Sequence, residues 1–275
     1  MPFLIEAEPH RGMPGEMPGG ALRLVARNPG RMTNHGTNTY IVAGENGWWV
    51  LDPGPRDDAE HVADILHMTD RKVMGWILTH GHHDHYGALD MLRREVPAPL
   101  YGFHQPNADA PMPDVPLQDG DRVGPFTAVY TPGHAPDHLC FAWKDAILFT
   151  GDHVMGWSSS VVSPPHGDMG GYIASLERLI ARDDRLYLPG HGPAIPEPRA
   201  YAQELQRRRL QREEEILLAI SQGLRTAEAL AAKLYLKTDP VLQNAALRNV
   251  LSHLGKLSRE GKVQESEEGW SATPC

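Results

Sequence analysis

One stretch limits what this chain can fold into more than any other. Residues 75–85 read GWILTHGHHDH, so an apolar run suited to a buried strand passes straight into His80, His82, Asp84 and His85. A helical pattern begins at Tyr86. Open α/β sheets place their sites at the carboxyl ends of strands, so this loop predicts such a sheet. The spacing His-x-His-x-Asp-His lets the four side chains turn alternately towards two adjacent metal positions. Neutral imidazole and carboxylate suit zinc, with iron and manganese as alternatives. A His-rich loop can simply face solvent in a chain with 15 His. Three further segments argue against that. TPGH (131–134) delivers His134, FTGDH (149–153) delivers Asp152 and LPGHG (188–192) delivers His191. Each follows an apolar run and a glycine, which lets the backbone turn sharply.

Around these segments, short apolar runs alternate with turn signals as far as residue 192. Residues 21–26, 38–44, 47–52, 75–80, 99–103, 126–131, 137–143, 146–151 and 185–190 read as strands. Residues 57–68, 86–95 and 172–181 read as helices, and the mixture implies an α/β sandwich with buried sheets. The first twenty residues, rich in Pro and Gly, read as irregular. Residues 193–201 form a Pro-rich linker. Beyond it, 201–222, 226–236 and 240–260 read as helices and 261–270 as a short β tail, a winged-helix pattern. The division expected is a larger domain, 1–200, and a small one, 201–275.

The chain carries 26 Lys+Arg against 35 Asp+Glu, a formal net charge of −9. Residues 201–275 hold eleven basic and ten acidic residues, so all of the excess lies in the larger domain. That balance argues against general affinity for nucleic acid. Arg207–Arg209 read as a solvated helix face that pairs with Glu213–Glu215. Two cysteines, Cys140 and Cys275, make neither a disulfide framework nor a thiolate zinc site. Cys140 reads as a buried, inert thiol and Cys275 as a frayed terminus. No stretch approaches the ~20 apolar residues of a membrane span, and the first twenty lack a signal peptide's basic start and apolar core. The expectation is a soluble cytoplasmic protein with no membrane partner.

The ligand order His-x-His-x-Asp-His, then a lone His, a lone Asp and a lone His, resembles the metallo-β-lactamase superfamily over residues 20–192. An early Asp, Asp52 in LDPG, belongs to the same pattern. More narrowly, LRLVARNPGRMTNHGTNTYIV (22–42), TPGHAPDH (131–138), SSSVVSPPHGDMGGY (158–172) and the helical tail resemble the β-lactamase-like-protein-2 group. The resemblance implies an αββα metallo-β-lactamase-type sandwich with a small C-terminal winged-helix domain. It also implies a two-metal site between the facing sheet edges. His80, His82 and His134 would hold the first metal, Asp84, His85 and His191 the second, and Asp152 would bridge them. Asp52 would accept a hydrogen bond from a ligand imidazole and fix its orientation.

The chemistry expected is hydrolysis. Two divalent cations, zinc before iron or manganese, would share a hydroxide nucleophile and act on an ester, thioester, amide or phosphodiester bond. Asp84 would orient the nucleophile. His138 either assists the leaving group or is a structural histidine on the next strand. Asn38, Ser159, His166 and Asp168 are candidates for the substrate rim, because loops that flank a site carry ligand contacts; Ser and Asp are also ordinary turn residues. A small-molecule substrate is expected. The alternative is an endoribonuclease acting on single-stranded RNA, as the vertebrate member of the resembling group is described. Against it stand the acidic balance and the absence of interleaved aromatics for stacking bases. A mononuclear iron sulfur dioxygenase and a β-lactamase are further readings. The near-neutral winged helix reads as a lid or as the contact of a homodimer, rather than as a reader of DNA.

Overall fold

Alternating apolar side chains build two sheets in the computed structural model, which describes residues 3–107, 109–236 and 243–273. The chain divides into two units. The first holds residues up to Thr131, Asp137–Ser160 and Arg182–Arg199; the second holds Pro132–Pro136, Val161–Ala181 and the chain from Ala200 on.

In the first unit, β1 (Gly15–Glu16), β2 (Leu22–Val25), β3 (Asn38–Ala43), β4 (Trp48–Leu51), β5 (Val73–Ile77), β6 (Leu100–Phe103) and β7 (Val115–Leu117) lie side by side in that order. Strands β1 to β4 pair antiparallel and β4 to β7 parallel. A second sheet has the order β12 (Leu186–Pro189), β11 (Ile147–Gly151), β10 (Leu139–Trp143), β9 (Phe126–Tyr130) and β8 (Arg122–Val123). Only β11 and β12 run parallel in it.

The period of two along each strand sorts the side chains between layers. Tyr40, Val42, Trp49 and Leu51 meet Phe126, Phe141 and Phe149 of the second sheet. Ile41, Val50 and Trp76 face the other way, onto Val62 and Ile65 of α1 (Ala59–Met68). Leu89 and Leu92 of α3 (Leu89–Glu95) join them, with the single turn α2 (His83–Tyr86) preceding. Phe149 is wholly buried between the sheets, its ring 5.0 Å from Tyr40 and 5.7 Å from Phe126. Truncating such a side chain costs about 3–5 kcal/mol.

Three differences from the sequence reading have local causes. The helix expected over 86–95 is two helices, and the first starts at His83, inside the ligand motif. The Ala88 N–H leaves the helical ladder for the Gly54 carbonyl at 3.0 Å. Strands β1, β7 and β8 were hidden by their length of two or three residues, and β7 carries Pro116 at the sheet edge, where a missing N–H is tolerated. The strand expected over 75–80 ends at Ile77, which frees Thr79 and His80 to turn into the site.

In the second unit, α4 (Met169–Ile180), α5 (Pro198–Ser221), α6 (Ala227–Leu234) and α7 (Gln243–Arg259) precede a hairpin of β13 (Val263–Ser266) and β14 (Gly269–Ala272). Helix α5 begins three residues earlier than expected, because proline suits a first helical turn. Ile216, Ile220, Leu230, Val250, Leu254 and Trp270 form the core. Arg207 and Arg208 pair with Glu204, one turn back, where pairing with Glu213–Glu215 was expected. Glu213 is buried instead, bonded to Lys256 Nζ at 2.8 Å and His253 Nδ1 at 3.3 Å. Cys140 is buried; Cys275 and the start of the expected 240–260 helix lie outside the described residues. Among the described residues, no helix is long and apolar enough to cross a membrane.

Candidate metal centre

Parallel strands deliver the site. β4 and β5 share a direction, as do β11 and β12, so their carboxyl ends carry Asp52 beside Thr79-His80 and Asp152 beside His191. The Gly190 N–H donates to the Gly151 carbonyl at 2.8 Å and the Asn38 N–H to the Gly190 carbonyl at 2.7 Å, which joins the sheets at this edge. Two glycines are required by space. Gly151 has φ +46°, and a Cβ there would stand 2.6 Å from His138 Nε2 and 2.8 Å from Thr79 Oγ1. A Cβ on Gly190 would stand 2.6 Å from Asp152 Oδ1.

Two groups of ligand atoms, each within 4.8 Å of one another, lie wholly in the first unit: His80, His85 and Asp152, and Asp84, His85 and His191. His191 Nε2 is 3.2 Å from Asp84 Oδ2 and 3.4 Å from Asp152 Oδ2. His85 Nε2 is 3.6 Å from Asp84 Oδ2 and 3.5 Å from Asp152 Oδ1. His80 Nε2 lies 2.8 Å from His82 Nδ1. The outer nitrogens are each engaged: His85 Nδ1 by Asp52 Oδ2 at 2.9 Å, His80 Nδ1 by Thr79 Oγ1 at 2.9 Å and His191 Nδ1 by the Gly36 carbonyl at 3.2 Å. Such partners set which nitrogen of a metal-binding histidine faces inward.

Charge explains what the cluster needs. Burial by itself would raise Asp152 and Asp84, but the imidazoles of His191 and His85 outweigh it and hold both carboxylates below their usual range. Burial would lower His85 and His191; the surrounding carboxylates outweigh it and raise both, His191 to about 9. The cluster therefore draws in positive charge, as protons or as metal. His85 Nε2, fully buried, has no hydrogen-bond partner among the described residues. A buried imidazole nitrogen aimed at carboxylates is a donor set that suits a divalent metal ion.

The other residues singled out from sequence divide. His134 belongs to the second unit, where its Nδ1 bonds the Val161 carbonyl at 2.8 Å. His138 is fully buried; its Nδ1 meets Thr131 Oγ1 at 2.9 Å and its Nε2 accepts the Asp152 N–H at 3.2 Å. Of the two roles open to it, that position favours the structural one, because both nitrogens are engaged at the turn beneath Asp152. Asn38 lies within the fold. It is 1% exposed and its amide donates to the carbonyls of Pro189 and Gly192 at 2.8 and 2.9 Å, so it anchors the loop of His191. Asp168 caps α4 by accepting from the N–H groups of Gly170 and Gly171 and pairs with Arg259, a structural duty in the second unit. His166 is exposed in that unit, and Ser159 is half-buried in the first.

Sequence reasoning missed the work of Thr79 and Ser160. The Ser160 hydroxyl donates to the Asp152 carbonyl at 2.6 Å. A hydroxyl next to a ligand histidine was the available signal for Thr79. Ser160 had none, since its partner lies eight residues away.

Comparison with known proteins gives the family and the fold. The family described as "Metallo-beta-lactamase superfamily" matches residues 32–115 and 105–191, and "Beta-lactamase associated winged helix domain" matches 226–270. A Drosophila melanogaster protein, "Beta-lactamase-like protein 2 homolog", is 31% identical over 90% of this chain and 90% of its own length. The "Atrochrysone carboxyl ACP thioesterase" of Claviceps purpurea is 32% identical over 78% of this chain and 71% of its own. The crystal structure of a beta-lactamase domain protein from Burkholderia ambifaria superposes with a TM-score of 0.83 at 21% identity, over 98% of this chain and 96% of that one.

Proposed function

Since the chain belongs to the metallo-β-lactamase superfamily and is a hydrolase of that superfamily, we propose that it works through two divalent metal ions and cleaves a thioester. The observation that carries the two-metal reading is the overlap of the ligand groups His80–His85–Asp152 and Asp84–His85–His191. One imidazole nitrogen serves a single ion, so His85 would join one group; Asp152, which belongs to one group and lies 3.4 Å from His191 of the other, would be within reach of both. His80 and His82 would hold one ion; Asp84, His85 and His191 would hold the other. When bound, the ions supply Lewis acidity, polarising a carbonyl and acidifying water.

The chain's own residues do the rest. Asp52 holds the Nδ1–H of His85, which keeps Nε2 turned inward. Asp84, with its side chain 31% exposed, is the carboxylate open to the solvent side and accepts a hydrogen bond from the attacking water. The nitrogens of His138 are engaged by Thr131 and Asp152, so His138 is not the proton donor for a leaving group. A thiolate needs none, because thiols ionise near pH 8.5, whereas an amine must be protonated to depart. The relative named as an acyl-carrier thioesterase supports the same substrate class.

The test is elemental analysis of protein purified without chelator, followed by parallel assays on an acyl thioester, its oxygen ester, its anilide and single-stranded RNA. The expected result is close to two divalent ions per chain, with kcat/KM for the thioester at least about 10²-fold above the anilide. An anilide cleaved as fast, or RNA cleaved in preference, would remove the thioester reading.

A further inference from the structure

We infer that Thr79 is a positioning residue that couples the two metal positions, by joining one ligand of each to the single carboxylate of Asp52. The inference rests on the two-metal reading above.

Four bonds make the chain. The Thr79 N–H donates to Asp52 Oδ1 at 2.8 Å and the Thr79 hydroxyl to Asp52 Oδ2 at 2.7 Å. His85 Nδ1 lies 2.9 Å from Asp52 Oδ2, and His80 Nδ1 lies 2.9 Å from Thr79 Oγ1. All four residues are buried. Donor bookkeeping then assigns the protons of these four bonds. An ionised carboxylate only accepts, so His85 donates to it from Nδ1 and so does the hydroxyl. The hydroxyl has spent its one proton, and Oγ1 must accept from His80 Nδ1–H. One carboxylate therefore sets the tautomer of His85 directly and that of His80 through Thr79, and both rings turn Nε2 inward, His80 Nε2 towards His82 Nδ1 at 2.8 Å.

The coupling follows from the direction of this chain. A His80 ring in the opposite tautomer would need the hydroxyl proton for itself and would strip Asp52 of a donor. An ion on His80 Nε2 excludes that tautomer. Asp52 then keeps three donors and is held in the orientation that presents His85. Linkage is reciprocal, so an ion on His85 prepares His80 by the same factor. The backbone of Thr79 has no slack to absorb the difference: its carbonyl accepts the Leu139 N–H at 2.7 Å, and its side chain fills the space that a Cβ on Gly151 would need.

The test is zinc titration of the metal-free full chain against a chromophoric chelator, for the wild type, Thr79→Ser and Thr79→Val. Wild type and Thr79→Ser should bind two zinc ions with positive cooperativity. Thr79→Val, which keeps the shape and loses the hydroxyl, should bind both about 10- to 100-fold more weakly and without cooperativity. In proton spectra of the zinc-loaded protein, it should also lose one solvent-protected imidazole N–H signal and keep that of His85. Thr79→Val binding like wild type overturns the inference. So does Thr79→Ser binding as weakly as Thr79→Val, or a loss confined to one ion. Should Thr79→Val not fold, independent binding of two ions by the wild type overturns it alone. A wild type that takes up one ion or none removes the two-metal reading, and the coupling with it.

Discussion

Asp52 and Asp152 in the first unit and Glu213 in the second are all buried carboxylates, yet they are neutralised in opposite ways. Glu213 has an ammonium, Lys256 Nζ, at 2.8 Å and an imidazole, His253 Nδ1, at 3.3 Å. Its charge is met within the fold. Asp52, Asp84 and Asp152 face hydroxyl, N–H and imidazole groups, and an imidazole is cationic only while it holds a proton. Both clusters bury charge at a cost that only good partners offset. The difference teaches what each is for: a cluster complete in itself holds helices α5 and α7 together, whereas a cluster short of positive charge is prepared to take up cations.

Breaking the contrast should have its largest effect at the first cluster. Asp152→Ala and His82→Ala are each expected to lower kcat/KM by about 10³-fold or more and to lower metal content, read by steady-state kinetics and elemental analysis. A fully active, metal-replete Asp152→Ala protein would show that the centre lies elsewhere. Lys256→Met comes next. It leaves the Glu213 carboxylate buried without its ammonium and should cost about 3 kcal/mol in denaturant unfolding, with metal content untouched. Replacing both partners, Glu213→Leu with Lys256→Met, should recover most of that loss.

Two smaller effects sharpen the comparison. Ion binding to the native state alone adds stability by mass action, about 2.7 kcal/mol at a hundred times Kd. Zinc should therefore raise the melting temperature of the metal-free protein by several degrees, and by as much in Lys256→Met as in the wild type. The smallest effect is acid sensitivity at the second cluster. Burial would raise Glu213, but the bonds from His253 and Lys256 outweigh it and hold its pKa below the ordinary 4.5. With the folded pKa the lower one, the stabilisation is complete above about pH 4.5 and is lost as pH falls from there. Glu213→Gln should flatten the fall in stability between pH 5 and 3.5; an unchanged slope would exclude this carboxylate as its source.

Much of the fold could be read from local pattern because most strands carry a period of two with one face on each layer. Tyr40, Ile41 and Val42 show it directly. What escaped was decided by partners far away in the chain. The break between α2 and α3 comes from the Gly54 carbonyl, and the short strands β7 and β8 exist only because neighbours pair with them. The duties of polar residues escaped for the same reason. Asn38 and Asp168 look alike as loop side chains with hydrogen-bonding ends, and both turn out to satisfy backbone groups.

By itself, the sequence determined the inventory of the candidate centre and its place at strand ends. His80, His82, Asp84 and His85 fall within six residues, so chain connectivity alone keeps them together. Tertiary structure decided which atom of each ligand faces inward. That choice belongs to whatever engages the outer nitrogen: Asp52, 33 residues from His85, and the Gly36 carbonyl, 155 residues from His191. A ring with two chemically similar nitrogens carries no local preference strong enough to choose between them, and only a partner fixed by another strand does so.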